Sequence, residues 1–140
     1  MFILDTNVLS AMMGARPAPE VAAWMAGVPD DALFTTTISQ AEILSGLAIM
    51  PEGRRRSALE NAARAIFLED FAGRVLAFDA AAVAYAGIFA ARRRSGRVGA
   101  PLDLMIAAIA CVHDARVVTR DGGGFEGCGV GVVDPWQGEG

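Results

Sequence analysis

Short apolar runs alternate with longer stretches of helical spacing along this chain. Phe2–Leu4, Val75–Phe78, Arg116–Thr119 and Val130–Val133 read as buried strands, and Leu33–Thr36 is β-like. Between them, apolar residues recur at helical periods. Helices are expected over about Val8–Met13, from Pro19 through Met25, over Ser39–Met50 and Arg54–Phe71, from a cap at Asp79 to Arg94, and over Pro101–Val112. Proline opens two of these, and Gly14, Pro51 and Gly73 end three others. Ser95–Gly99 reads as a loop and Asp121–Gly124 as a flexible turn. Short strands separated by helices predict an α/β fold, a mainly parallel central sheet flanked by helices, with one domain over residues 1–140.

The pattern also marks acids in unusual places. Asp5 follows the first strand and Asp121 follows Arg116–Thr119, so both fall beyond strand carboxyl ends, where parallel sheets bind ligands. Glu42 shares a helix face with Ile38, Ser45, Gly46 and Ile49, an odd setting for a solvated charge. Asp103 is the one ionisable residue in a helix apolar almost all round, and it lies in the first turn, where the dipole favours an anion. Each has an ordinary alternative: a cap for Asp5, a surface position for Glu42, a dipole partner for Asp103, a turn residue for Asp121. The remaining acids, such as Asp30, Asp31, Glu60, Glu69, Asp70 and Glu126, fall in loops or on outer helix faces.

Composition narrows the chemistry. Hydrophobic residues make up 54% of the 140, so a globular core is expected. No apolar run approaches the roughly 18 residues that span a bilayer. The start lacks a basic segment and meets an acid at Asp5, so a secretory signal is not expected and a cytoplasmic address is. All 12 basic residues are arginine, which excludes Schiff-base chemistry and a phosphate-loop lysine. One histidine, His113, and two cysteines, Cys111 and Cys128, provide neither a soft-metal cluster nor a disulfide framework. The net charge of −4 argues against a general nucleic-acid coat protein, yet it is compatible with a nuclease that collects carboxylates for a metal. Two carboxylates about 4 Å apart repel by roughly 4 kcal/mol at an effective dielectric near 20, and protons or a divalent cation must relieve this. All-oxygen ligands select Mg2+, with Mn2+ as a substitute, over zinc. Such a metal suits phosphodiester hydrolysis.

In order along the chain stand Ile3-Leu4-Asp5-Thr6-Asn7-Val8-Leu9-Ser10, Ile38-Ser39-Gln40-Ala41-Glu42-Ile43-Leu44-Ser45-Gly46, Asp103-Leu104-Met105-Ile106-Ala107-Ala108, Val118-Thr119-Arg120-Asp121 and Asp134-Pro135-Trp136. With these motifs the chain resembles PIN-domain ribonucleases, specifically VapC/FitB-type toxins of bacterial toxin–antitoxin modules. The resemblance implies that Asp5, Glu42 and Asp103 are catalytic metal ligands, that Asp121 completes the acidic pocket, and that Thr6, Asn7 and Thr119 are polar neighbours that orient them. Many relatives read Thr-Arg-Asn-x-x-Asp-Phe, with the last acid three residues later. Here the acid is Asp121 and the later position is Gly124, as in the FitB-like branch. The resemblance further implies a Mg2+-dependent endoribonuclease acting on structured RNA, often transfer RNA. It also implies a homodimer, silenced by a VapB/FitA-type antitoxin that pushes a basic side chain into the pocket. Arg92, Arg93, Arg94 and Arg97 are candidate RNA contacts, ahead of Arg54-Arg55-Arg56, although solvated helix ends would look the same.

Two other readings remain at this point. A phosphotransfer enzyme with Asp5 as nucleophile would want an Asp-x-Asp pair and a lysine, neither of which is present. A non-catalytic PIN-like module that binds RNA or a partner is compatible with Gly124.

Overall fold

The computed structural model describes residues 1–137; residues 138–140, the end of the expected domain, lie outside them. Five strands form one sheet: β1 (Phe2–Leu4), β2 (Leu33–Thr36), β3 (Val75–Leu76), β4 (Arg116–Val118) and β5 (Val132–Val133). Their order is β3-β2-β1-β4-β5, and every neighbouring pair is parallel. Ile3 of the central strand registers with Phe34 on one side and Val117 on the other.

Six helices cover the sheet: α1 (Thr6–Met13), α2 (Pro19–Ala26), α3 (Thr37–Ala48), α4 (Arg54–Ala65), α5 (Ala81–Arg94) and α6 (Pro101–Val112). Successive strand side chains point to opposite faces, so each central strand feeds two cores. Ile3 and Val117 pack with α5 and α6, whereas Leu4 and Val118 pack with α1 to α4. All four are fully buried, which explains why β1 and β4 read as unbroken apolar runs. Cutting any of them to alanine would cost about 2–5 kcal/mol.

The expected α/β architecture is the observed one, with local differences at element ends. Asp5 caps α1, so this helix begins at Thr6, two residues before the expected start. Thr36 caps α3 by accepting from the Ser39 N–H at 3.1 Å, which moves that start back as well. The fourth helix is not uniform to Phe71. It ends at Ala65 and continues as a π-turn over Ile66–Asp70, closed by Phe71 N–H to the Ile66 carbonyl at 2.8 Å. The wider turn brings Phe71 nearly beneath Ile66, so that Ile66, Phe67 and Phe71 are buried together. Asp79 precedes the cap of α5 and accepts from the Ala80 N–H at 2.6 Å; the capping residue itself is Ala80. Gly122–Phe125 forms a 3-10 turn rather than a flexible one, because Phe125 is buried and anchors it. Among the described residues no helix is long and apolar enough to cross a membrane.

Candidate active site

The site forms where β1, β2 and β4 end. Asp5 leaves β1 and is both the cap of α1 and a buried acid, 5% exposed. Its Oδ1 accepts from the Thr6 N–H at 2.7 Å and its Oδ2 from the Thr119 hydroxyl at 2.8 Å. Thr119, just past β4, is itself fully used. It donates to Asp5 and accepts from Asn7 Nδ2 and from the Asp121 N–H, each at 3.0 Å. Asn7 Oδ1 then accepts from the Arg120 N–H at 3.2 Å. The first turn of α1 and the segment after β4 are thereby locked together across 112 residues of sequence.

A second connection runs to α3. Thr6 Oγ1 lies 2.9 Å from Glu42 Oε1 and 3.0 Å from Ser39 Oγ. With its one proton on the Glu42 carboxylate, it accepts from Ser39. Ser39 was not among the expected site residues. It is fully buried and sits three residues before Glu42, on the same helix face, and that spacing is the signal that could have found it.

Asp103 arrives from the opposite face of the sheet, in the first turn of α6. Burial, and then the charges of Asp5, Glu42 and Asp121, push its carboxyl up to about 6 against the pull of Arg92. Thr6 links Asp5 to Glu42 and Thr119 links Asp5 to Asp121, and Asp103 feels the charge of all three. Burial also pushes Asp5 above the usual carboxylate range, opposed by its hydrogen bonds from Thr119 and Thr6 and reinforced by Asp121. Among the described residues no protein donor reaches the Asp103 carboxylate, and its lone pairs stay free.

Gly124 lies directly against this cluster. A Cβ on it would sit 2.9 Å from Asp103 Oδ2 and 3.2 Å from Asp121 Oδ2. The Asp121 carboxylate therefore reaches the ground that a side chain at position 124 would enter. Asp121 itself is exposed, which leaves the pocket open to solvent.

The donors suit a hard divalent cation, because four carboxylates converge and no thiolate or imidazole lies with them. Among the described residues no three are drawn close enough to enclose an ion. Mg2+ does not need such a cage, since it commonly binds through one or two carboxylates and keeps several waters.

The expected arginine cluster comes apart. Arg92 is 5% exposed and donates to the Glu126 carbonyl, so it is no surface phosphate contact. It folds under the α5–α6 turn, with Leu104 and its own guanidinium packed against Gly99, and its Nε has no partner among the described residues. Arg97 pairs with Glu126 at 3.0 Å, and Arg93 lies over the Phe89 ring at 5.7 Å. Arg94 is exposed. In the other cluster, Arg56 pairs with Glu60 at 2.7 Å. Arg55 lines a cavity of about 370 Å3 together with Thr6, Ser10, Glu42, Leu47 and Leu59. Cys111 and Cys128 are both free thiols, the first exposed and the second buried.

This fold with this acid cluster defines a class, and comparison with known proteins agrees. Residues 2–126 match the PIN domain family, and the chain belongs to it. Within it the chain is of the VapC/FitB type. It is 40% identical over 138 residues to VapC ribonuclease Y4jK of Sinorhizobium fredii, covering 98% of this chain and 99% of that protein. It is 35% identical to toxin FitB of Neisseria gonorrhoeae, again over 98% of this chain and 99% of that protein. Among solved structures, FitAB bound to an IR36 DNA fragment superposes with a TM-score of 0.91 at 35% identity, covering 100% of this chain and 99% of the other.

Proposed function

We propose that this protein is a metal-dependent endoribonuclease toxin that hydrolyses RNA phosphodiester bonds. The observation that carries the reading is the gathering of Asp5 and Asp121, each just past a strand end, with Glu42 of α3 and Asp103 of α6, where burial and then the charges of the other three raise Asp103 to about 6. Asp103 with one or two of the other three would hold Mg2+, or Mn2+ in its place, the remaining positions staying hydrated. When bound, the metal supplies charge neutralisation at the transferring phosphate and a water of lowered pKa.

The chain's own residues supply the rest. Thr119 and the Thr6 N–H fix both oxygens of Asp5, and Thr6 fixes one oxygen of Glu42. Asp103, with no protein donor, is the acid free to turn toward the cation. Hydrogen bonds to metal-ligating carboxylates set their orientation and basicity. The exposed Arg94, with Arg93 and Arg97, remains a proposed outer contact for RNA phosphates.

The similarity to a FitAB complex supports a small antitoxin as partner. A guanidinium from such a partner entering the acids would replace the cation as counter-charge. A homodimer fits the large apolar side chains left exposed, among them Leu44, Phe89 and Leu102.

Asp103→Asn tests the function. Cleavage of RNA in magnesium should fall at least about a hundredfold, while the circular dichroism spectrum stays unchanged. Full cleavage by a folded Asp103→Asn protein would refute the reading.

A further inference from the structure

An acid cluster that cuts RNA must also hold a polyanion that it repels. Of the arginines at the α5 end, Arg92 is buried and Arg97 is paired with Glu126, which leaves Arg93 and Arg94 exposed there. A different arginine stands at the site itself. Arg120 lies between Thr119, which holds Asp5, and Asp121, and its N–H is fixed on Asn7. Its side chain is exposed, and it forms no ion pair among the described residues.

The guanidinium lies 3.9 Å from the centre of the Trp136 ring, the shortest such approach among the described residues. Trp136 is held in turn by packing against the α1–α4 core and by its N–H on Asp134 Oδ1 at 2.9 Å. Asp121 follows it directly in the chain, yet the guanidinium forms no ion pair with that carboxylate. It lies instead on the indole face, where cation–π attraction compensates for the ion pair it lacks. What results is a planar fork of N–H donors, carried one residue before Asp121, braced on Trp136 and still holding its charge.

We infer that Arg120, braced on Trp136, is an RNA-binding residue that takes a phosphate next to the scissile one, on the β4–β5 side of the acids. This inference rests on the ribonuclease reading and deepens it. The fork matches two phosphate oxygens, and the stack limits the side-chain freedom lost on binding.

The test measures binding of a labelled single-stranded oligoribonucleotide in magnesium-free buffer, and then cleavage in magnesium. Arg120→Ala should raise Kd and KM about tenfold with kcat nearly unchanged. It should also make the salt dependence of log Kd shallower by about 0.7. Arg120→Lys keeps the charge and loses the fork, so it should fall between. Trp136→Phe should bind as the parent does, while Trp136→Leu should lose most of what Arg120→Ala loses. The melting temperature and the magnesium-induced shift should be unchanged in Arg120→Ala. Parental Kd, KM and salt slope in Arg120→Ala would overturn the inference, as would a defect confined to antitoxin binding. If Asp103→Asn is inactive in the same assay, the ribonuclease reading survives that outcome. If Asp103→Asn still cuts, the reading beneath the inference fails instead.

Discussion

Asp5 and Asp103 serve the same site from opposite faces of the sheet, and they are held in opposite ways. Asp5 has both oxygens occupied by donors and is almost wholly buried. Asp103 is half-buried, has no protein donor among the described residues, and is surrounded by like charge. The first is part of the scaffold, since it caps α1 and joins it to β4. The second is kept in place by the packing of α6 against the repulsion of its neighbours. Burial costs both charges, but hydrogen bonds offset part of that cost at Asp5 and none of it at Asp103, although both would ligate one cation.

Three changes probe that contrast. The largest effect is expected at the hydroxyl that organises the tethered side. Thr119→Val removes the donor to Asp5 and the acceptor for Asn7 and Asp121, and it should weaken magnesium binding about 10- to 100-fold by calorimetric titration. Parental affinity in that variant would mean that the tether does not position the ligands.

Next comes the stability of paired variants. Asp5→Asn turns an amide NH2 toward one of two donors and should lose about 1–3 kcal/mol in urea unfolding. Asp103→Asn relieves repulsion and should be as stable as the parent, or more so. If both variants shift stability in the same direction, the contrast is lost.

The smallest effect is in pH. The carboxyl of Asp103 is raised from 3.8 to about 6 in the folded protein, so the folded state binds this proton more tightly. Its contribution to stability is fully present below about pH 4 and is lost as pH rises through about 6. For a half-exposed group, solvent screening reduces the loss to the order of 1 kcal/mol. The metal-free melting temperature should therefore fall over that window, and millimolar magnesium should remove the fall. A flat metal-free profile would contradict the strained placement of Asp103.

Much of this was legible in the chain. The runs at Phe2–Leu4 and Arg116–Val118 are apolar at every inward position because both faces are covered, and strand ends in a parallel sheet locate Asp5 and Asp121 without coordinates. Asp103 was conspicuous as a charge in an otherwise apolar helix. The arginines were not so readable. Arg92, Arg93 and Arg94 are identical in sequence, and only the packing of the Glu126–Cys128 segment decides that the first is buried. The Arg120–Trp136 stack joins residues after different strands, so no local pattern announces it. The π-turn after Ala65 arises because Ile66, Phe67 and Phe71 must share one face, a demand set by the neighbouring core and not by helix propensity.

The bare α-carbon at position 124 has a consequence for how such a pocket can be rewritten. The Asp103 and Asp121 carboxylates, borne on two different elements, already border the space that a side chain at 124 would enter. A methyl group at 124 would already crowd two carboxylate oxygens, that of Asp103 more closely than that of Asp121, so any acid added there would have to turn both aside. A new acid at 124 thus calls for compensating movement on α6 as well as after β4, not for a change at one position alone.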